Sequence, residues 1–365
     1  MKENLLGKAP NALERLAEEL NMRRYRGRQI AEWLYHQHVA SVSEMTNLSK
    51  ADRTRLAAGF ELRGEAPVAR RVSRDETVKY AFAERLARTG GGGADGGGGA
   101  GASGSPRDTS RIIEATLIPD GHRRTLCLST QIGCARGCEI CATGRMGFHG
   151  NLSAGSIINQ YRSLPERDDI TNIVYMGMGE PLDNIEEVLE SLTVFTDPRG
   201  YAMSPRRITV STIGIPEPLE RLLRESEVHV AVSLHSPYPE ERARLIPAER
   251  RNSIHAVLEV LRRRSWDGRR RLSFEYALVE GLNDSAAHAK AVARLIDGIP
   301  ARVNLIPVNP QAAVGFAPPG AERIEEFKQT LLDAGVRTTV RTSRGADIEA
   351  ACGLLAGRSS DTITR

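Results

Sequence analysis

The chain has 365 residues, a formal net charge of +4 and 26% charged residues. This length exceeds what one small core needs and is typical of a main catalytic domain with a smaller companion. The first residues lack the apolar stretch of a signal peptide, and no run of about 18 apolar residues could span a bilayer. The composition therefore argues against a membrane protein and predicts a soluble, cytoplasmic one.

Residues 10–60 carry apolar side chains at helical spacing, such as Leu13, Leu16 and Leu20. This pattern predicts a small helical domain, which we place at residues 1–75.

Two stretches of the chain are rich in arginine. The first comprises Arg23, Arg24, Arg26 and Arg28. The second comprises Arg242, Arg244, Arg250, Arg251, Arg262, Arg263, Arg264, Arg269, Arg270 and Arg271. The net charge alone does not identify a partner, so each stretch is either a solvated helix face or a phosphate-binding surface.

Residues 76–110 combine a strand with a glycine-rich segment. The run at 77–86 has the composition of a strand, whereas residues 89–108 contain no apolar side chain large enough to anchor a core. The G-x-x-x-x-G-K-[ST] pattern is absent there, so the glycines do not form a phosphate loop. We expect a flexible linker or insertion.

From residue 111 to 345, apolar runs alternate with helical patterns, which predicts parallel strands with right-handed crossovers. The runs lie at 124–130, 170–178, 206–212, 228–235, 270–279 and 301–308. Six such units predict an α/β fold, a partial, open (β/α)6 barrel of TIM-like topology. Reactive groups of a parallel barrel lie where its strands end.

The first run leads into a loop that holds Cys134, Cys138 and Cys141. Five cysteines in all, three of them so close together, are typical of a metal or cluster site in a reducing compartment. Three thiolates are one short of the usual cluster set, so a 4Fe-4S cluster bound here would keep one iron open for a ligand. The alternative is a zinc site completed by a distant histidine such as His149.

Polar residues and glycines follow the later strands. Gly179 and Glu180 end the second run, where a glycine allows close approach to a ligand and a carboxylate can bind an amino group. The other members of this set are Ser211, Ser233, His235 and Asn309, and we add Leu234, which lies between Ser233 and His235, as a candidate cofactor-binding residue. Each could merely shape a turn or cap a helix, but their repeated position predicts one ligand across the barrel mouth.

The three-cysteine loop resembles that of the radical S-adenosylmethionine (SAM) superfamily, and ordered motifs from about residue 10 to 357 resemble the RlmN-type family of dual-specificity RNA adenine-C2 methyltransferases. They include YRGRQIAEWLYHQH, IIEATLIP, MGMGEPLDN, SPRRITVST, VAVSLHSP, VNLIPVNP and RGADIEAACG. The resemblance implies one 4Fe-4S cluster on the three cysteines. It also implies SAM, used twice per turnover, beside the strand-end residues.

The remaining cysteines, Cys127 and Cys352, would by default be small buried hydrophobes. The resemblance gives them roles. Cys352, in a C-terminal segment at 346–365, matches the cysteine that accepts a methyl group and then delivers its carbon to the base. Cys127 matches the cysteine that releases the product through a transient disulfide with Cys352. Glu114 matches the residue assigned as proton acceptor, although a Cys127 thiolate is an alternative.

The implied substrate is RNA, namely adenosine 2503 of 23S ribosomal RNA and adenosine 37 of some transfer RNAs. The implied partners also include a reductant such as flavodoxin or ferredoxin, and we expect a monomer. Tyr25 and Trp33 either stack on a base or pack the core of the helical domain. Two other functions stay open: adenine-C8 methylation of the Cfr type, and a non-catalytic iron-sulfur protein that binds RNA.

Overall fold

A computed structural model describes residues 2–85, 110–266, 270–310 and 315–356. The glycine-rich segment expected to be a linker lies outside these described residues. Among them, no helix has both the length and the apolar character needed to cross a membrane.

The N-terminal region is helical, as its apolar spacing predicts. It contains β1 (Glu3–Asn4), α1 (Pro10–Glu19), α2 (Tyr25–Tyr35), α3 (Lys50–Gly59) and β2 (Phe60–Glu61). A Cβ at Gly27 would lie 2.4 Å from the Cα of Glu14, so α1 and α2 cross at a contact that only glycine permits. Ser49 caps α3 by accepting a hydrogen bond from the Asp52 amide.

Three antiparallel strands follow: β3 (Ala69–Val72), β4 (Val78–Arg85) and β5 (Ser110–Asp120). The chain then runs through β6 (Arg123–Cys127), β7 (Gln131–Gly133), α4 (Ala142–Arg145), β8 (Phe148–Asn151), α5 (Ala154–Arg162), β9 (Asn172–Tyr175), α6 (Ile185–Thr196), β10 (Ile208–Thr212), α7 (Pro216–Glu225), β11 (His229–Ser233), α8 (Pro239–Leu245), α9 (Ile254–Arg262), β12 (Leu272–Leu278), α10 (Ala286–Leu295), β13 (Ala301–Pro307), α11 (Ala321–Asp333) and β14 (Arg337–Val340).

The main sheet has the order β14-β13-β12-β11-β10-β9-β6-β5-β4-β3. Its strands β6 and β9 to β13 are parallel, which confirms the six-stranded open barrel. The strand predicted at 77–86 is β4, but its antiparallel pairing and two further features of the sheet were not predicted. Strand β14 pairs in parallel with β13 as a further barrel strand, and β3, β4 and β5 extend the opposite edge as an antiparallel sheet.

The helical region and the barrel share one hydrophobic core. Tyr35 of α2 packs edge-on against Tyr201, which also contacts Tyr161 and Phe195 of the barrel helices. These aromatic contacts fix the N-terminal helices beside α5 and α6 and leave the carboxyl ends of the barrel strands open.

Candidate active site

The three clustered cysteines lie in one loop at the mouth of the barrel. The Cys134 amide donates to the Gly147 carbonyl at 2.9 Å, and the Cys141 amide donates to the Cys138 carbonyl at 3.1 Å. Cys138 and its neighbour Ile140 rest on a small apolar cluster beneath the loop. Backbone hydrogen bonds and apolar packing therefore shape the loop without using the thiols.

All three cysteines line a single cavity in the barrel mouth. Within the described residues, no three His, Cys, Asp or Glu side chains converge as ligands of one metal ion. A four-iron cluster instead takes each thiolate at a separate corner, so three soft ligands around an open cavity fit a cluster better than a zinc ion. The donor set thus suits the group that the sequence predicts.

Glu180 is buried in the wall of this cavity, at the end of β9. Its carboxylate accepts hydrogen bonds from the Thr212 hydroxyl at 2.6 Å and from the Leu182 and Ile213 amides, each at 3.0 Å. Burial nevertheless raises the pKa of Glu180 to about 7, because desolvation outweighs these bonds. The site therefore holds a carboxyl group that a ligand cation would ionise.

Gly179 allows the backbone to pass close to its neighbours. Its φ is +100°, and a Cβ there would lie 2.5 Å from the Cβ of Gln131. The same Gln131 side chain accepts a hydrogen bond from the Glu180 amide at 2.9 Å. Only glycine suits this position, and the close approach sets the direction of the carboxylate.

Ser211, Ser233 and His235 also line the cavity, as their strand-end positions predict. His235 Nδ1 accepts a hydrogen bond from the Ala277 amide at 2.9 Å, so the neutral ring carries its proton on Nε2. Burial lowers the pKa of His235 to about 3. It is therefore a neutral hydrogen-bonding group at physiological pH.

Leu234 differs from its neighbours. It is fully buried, and its carbonyl accepts a hydrogen bond from Arg242 at 3.0 Å. It is absent from the residues that line the cavity. In this structure Leu234 supports the strand end between Ser233 and His235 instead of facing a ligand.

Asn309, at the end of β13, joins the barrel to the C-terminal segment. Its side-chain amide donates to the Cys352 carbonyl at 3.0 Å, and its oxygen accepts from the Ser343 hydroxyl at 2.6 Å. The Ala142 amide beside Cys141 donates to the Gly353 carbonyl at 2.7 Å. The C-terminal segment is therefore bonded directly to the cysteine loop.

Cys352 lies in the wall that separates two cavities. One is the cavity of the three cysteines. The other, of about 430 Å³, is lined by Cys127 and Thr116 and by the arginines Arg123, Arg341 and Arg344. Cys352 therefore borders both spaces.

The structure brings Cys127 and Cys352 together as free thiols, without a disulfide. Burial, with a smaller contribution from the nearby Cys352, raises the pKa of Cys127 to about 12. Cys352 is exposed to the cavities, but desolvation by the surrounding protein raises its pKa to about 11. Both side chains are protonated thiols at neutral pH in this state.

Glu114 lies on β5 on the same strand face as Thr116 and Ile118, but unlike them it does not line the second cavity. It is buried, pairs with Lys79 at 3.0 Å and accepts a hydrogen bond from the Ala356 amide at 2.9 Å. Lys79 also donates to the Glu349 carbonyl at 3.3 Å. This ion pair therefore holds the segment that carries Cys352.

Sequence reasoning missed several charged residues that line the two cavities, among them Arg341 and Glu275. Arg341 follows β14 and lines both cavities, and its guanidinium lies 3.6 Å from the buried carboxylate of Glu275. Glu275 on β12 also accepts hydrogen bonds from Ser273 and Asn304. The unpredicted strand β14 positions Arg341, so its role could not be inferred without that strand.

The arginine-rich stretches are partly structural. Arg24 and Arg28 both bind the buried Glu14, each at 2.8 Å. Arg242 and Arg270 are buried and donate to backbone carbonyls, so the phosphate-binding interpretation is wrong for these two. Of the aromatic residues, Trp33 packs against the core and donates to Asn47, whereas Tyr25 is exposed.

Comparison with known proteins gives two family matches. Residues 3–62 match the ribosomal RNA large subunit methyltransferase N-terminal domain, and residues 128–291 match the radical SAM superfamily. A radical SAM methyltransferase from Sphaerobacter thermophilus has a similar structure. Its TM-score is 0.83 at 38% identity, and the match covers 98% of this chain and 100% of that one.

Two curated relatives cover almost the whole chain. A probable dual-specificity RNA methyltransferase RlmN from Parabacteroides distasonis is 43% identical over 362 residues, which is 99% of each chain. The dual-specificity RNA methyltransferase RlmN from Syntrophobacter fumaroxidans is 41% identical, over 94% of this chain and 95% of its own.

A barrel mouth with a three-cysteine loop and a matching family model defines a radical SAM enzyme. The two family matches and the full-length relatives then identify one family within this class of enzymes. The chain belongs to the RlmN family of methyltransferases.

Proposed function

We propose that this protein places a methyl group on C2 of adenine in RNA, with adenosine 2503 of 23S ribosomal RNA and adenosine 37 of transfer RNA as its targets. The position of Cys352 between the two cavities carries this proposal. One cavity suits the cluster and SAM. The other has room for a base beside Cys127.

The bound cofactors, one 4Fe-4S cluster and two SAM molecules per turnover, supply a methyl group and a 5'-deoxyadenosyl radical. Cys134, Cys138 and Cys141 would hold the cluster. Gly179 and Glu180 would bind the methionine amino group, because a buried carboxyl with a pKa near 7 ionises readily beside an ammonium.

The other strand-end residues would bind the remaining parts of SAM. Ser211 and Ser233 offer hydroxyls and His235 offers a neutral Nε2–H donor. Leu234 supports them through its buried side chain. Asn309 borders the same cavity while it holds the Cys352 peptide, so SAM binding and the position of Cys352 are linked there.

Cys352 accepts the methyl group on its sulfur. This S-methyl group would give a hydrogen atom to the 5'-deoxyadenosyl radical, and its carbon would then bond to C2 of adenine and join the protein to RNA. The resulting adduct radical would lose one electron, for which the oxidised cluster is the acceptor. Glu114 accepts the ring proton, since burial keeps Cys127 protonated. The sulfur of Cys127 then attacks the sulfur of Cys352 while the Cys127 proton passes to the departing carbon. This releases the methylated base and leaves a transient Cys127–Cys352 disulfide, which the reductant must reduce before the next turnover.

The RNA base would enter the second cavity from the side of Arg123 and Arg344, whose guanidiniums suit flanking phosphates. The adenine must leave its stack to reach Cys352. The N-terminal helices would contact the RNA as an accessory domain, with the exposed Tyr25 and its neighbour Arg26 on the surface. We further propose a cytoplasmic monomer that receives electrons from a flavodoxin or ferredoxin.

Anaerobic reconstitution, followed by mapping of methylated adenines in total RNA, tests this proposal. We expect 2-methyladenine at the named adenosines. An 8-methyladenine product, identified by NMR of the isolated nucleoside, would show Cfr-type activity instead. A Cys352→Ala variant should still cleave SAM but yield no methylated RNA, whereas a non-catalytic RNA-binding protein would be insensitive to this change.

A further inference from the structure

Four basic residues line the lower end of the barrel, opposite the mouth. His229, Arg271, Arg302 and Arg337 lie at or near the first residues of β11, β12, β13 and β14. Each precedes by four positions a residue that lines the mouth cavity, namely Ser233, Glu275, Ile306 and Arg341. Since side chains alternate along a strand, all four point to the interior, about 13 Å below the mouth.

The arginines of this group lie close to one another. Arg302 and Arg337 are register partners on β13 and β14. Burial lowers the pKa of Arg302, and the charges of Arg271 and Arg337 lower it further. His229 lies among the same arginines; its pKa falls to about 4, chiefly through burial and then through Arg271, Arg270 and Arg302.

These like charges are not neutralised within the part of the chain that the structure describes, where no carboxylate forms an ion pair with Arg271, Arg302 or Arg337. Nearby arginines behave differently, because Arg263 pairs with Glu220 and Arg264 with Glu227. Arg271 and Arg337 are exposed and Arg302 is half-buried. Three guanidiniums held together in this way favour an anion with several charged oxygens.

We propose that Arg271, Arg302 and Arg337 bind the phosphate backbone of the substrate RNA at a second site, remote from the target base. This inference rests on the proposed function, because a large folded RNA held at the mouth can extend around the barrel. An acidic reductant fits less well, since the barrel wall separates this end from the cysteine loop. Each arginine acts as a backbone contact and carries no sequence information.

Equilibrium binding measurements at several salt concentrations test this site. They compare two ligands, full-length 23S ribosomal RNA and a short hairpin that contains the target adenine. For the triple variant Arg271→Ala, Arg302→Ala, Arg337→Ala, we expect about tenfold weaker binding of the long RNA. The slope of the logarithm of the binding constant against the logarithm of the salt concentration should become shallower by about two to three. Each lost phosphate contact accounts for roughly 0.7 to 0.9 of this change. Hairpin binding should stay as in the unmodified protein.

Two controls separate charge from folding. Arg323→Ala removes an exposed arginine that pairs with Glu326 on α11 and should leave the slope unchanged. The triple lysine variant at 271, 302 and 337 should retain most of the slope.

Equal slopes for the triple alanine variant and Arg323→Ala would overturn the second site, as would an equal loss of hairpin binding. Slower reduction by flavodoxin with unchanged RNA binding would also overturn it and indicate an acidic protein partner. Unmodified protein that binds both RNAs but methylates neither would refute the proposed function instead.

Discussion

Glu180 shows how burial and hydrogen bonding compete at one side chain. Three donors stabilise its ionised form, yet burial raises its pKa from 4.5 to about 7. Because this pKa is raised, the group favours folding most below about pH 4.5, and that contribution is lost as the pH rises through 7. An ammonium group bound beside Glu180 would lower this pKa again, because it stabilises the ionised carboxylate.

SAM affinity should therefore rise between pH 6 and 8, as Glu180 loses its proton. Glu180→Gln should weaken SAM binding by about tenfold or more at pH 8, the loss of one charge-assisted hydrogen bond. The variant should also lack most of this pH dependence. Equilibrium binding of SAM to reconstituted protein measures both effects, and an unchanged pH profile in the variant would contradict the assigned role.

Gly179→Ala tests the close approach that orients Glu180. A Cβ at this position meets Gln131 at 2.5 Å with φ at +100°, so we expect a loss of about 2 kcal/mol or more in the free energy of unfolding. SAM binding should be lost as well. Gly59→Ala is the control, because its Cβ would meet nothing within 4 Å. Urea unfolding measures the free energy of unfolding of both variants. A similar loss in the two variants would argue against steric restriction at Gly179.

At the scale of elements, the antiparallel extension positions the segment that carries Cys352. Ser73 donates to Asp347 at 2.5 Å, and Asp75 accepts from the Gly345 amide at 2.9 Å. The Lys79–Glu114 pair holds the same segment on both sides of Cys352, because Lys79 donates to the Glu349 carbonyl and Glu114 accepts from the Ala356 amide. These strands, which lie outside the parallel barrel, thereby hold Cys352 at its mouth.

Lys79→Met should destabilise the protein by about 3–5 kcal/mol, because it leaves the Glu114 carboxylate buried without its ammonium partner. The double variant Lys79→Met, Glu114→Leu should recover most of this loss. Chemical denaturation of the two proteins gives the comparison. Equal destabilisation in both would show that the ion pair has no special role in holding the C-terminal segment.

Local patterns predicted the barrel elements but not these long-range contacts. The cysteine loop, Glu180 and His235 could be inferred because each follows an apolar strand and faces the common mouth. The Ser73–Asp347 contact joins residues 274 positions apart, and no local spacing encodes such a pairing. Leu234 lay in the same motif as His235, but alternation along the strand end turns its side chain into the core.

At the scale of the whole molecule, Glu14 links the helical region to the barrel. It binds Arg24 and Arg28 of its own region and Arg199 of the barrel, which lies 2.7 Å away. Hydrogen bonds from Arg24 and Arg28, together with the charges of Arg28 and Arg199, lower the pKa of Glu14 to about 2. Its stabilising contribution is therefore present above about pH 4.5 and is lost as the pH falls towards 2.

Glu14→Gln should loosen the attachment of the N-terminal helices at pH 7, since Arg199 loses its ion pair with the helical region and keeps only its pair with Asp197. We expect faster proteolysis between the helical region and the barrel, and a lower unfolding temperature. Glu19→Gln, a change at an exposed position on the same helix, is the control. If both variants were cleaved at the same rate, Glu14 would not join the two parts.

The proposed function requires Cys352 to deliver its carbon to RNA and Cys127 to release the product afterwards. Mass spectrometry of Cys127→Ala after turnover with RNA tests this most directly. We predict a covalent adduct between Cys352 and the target adenine that does not resolve, and none in the Cys127→Ala, Cys352→Ala double variant. Normal release of methylated RNA by Cys127→Ala, or an adduct on another residue, would contradict the account.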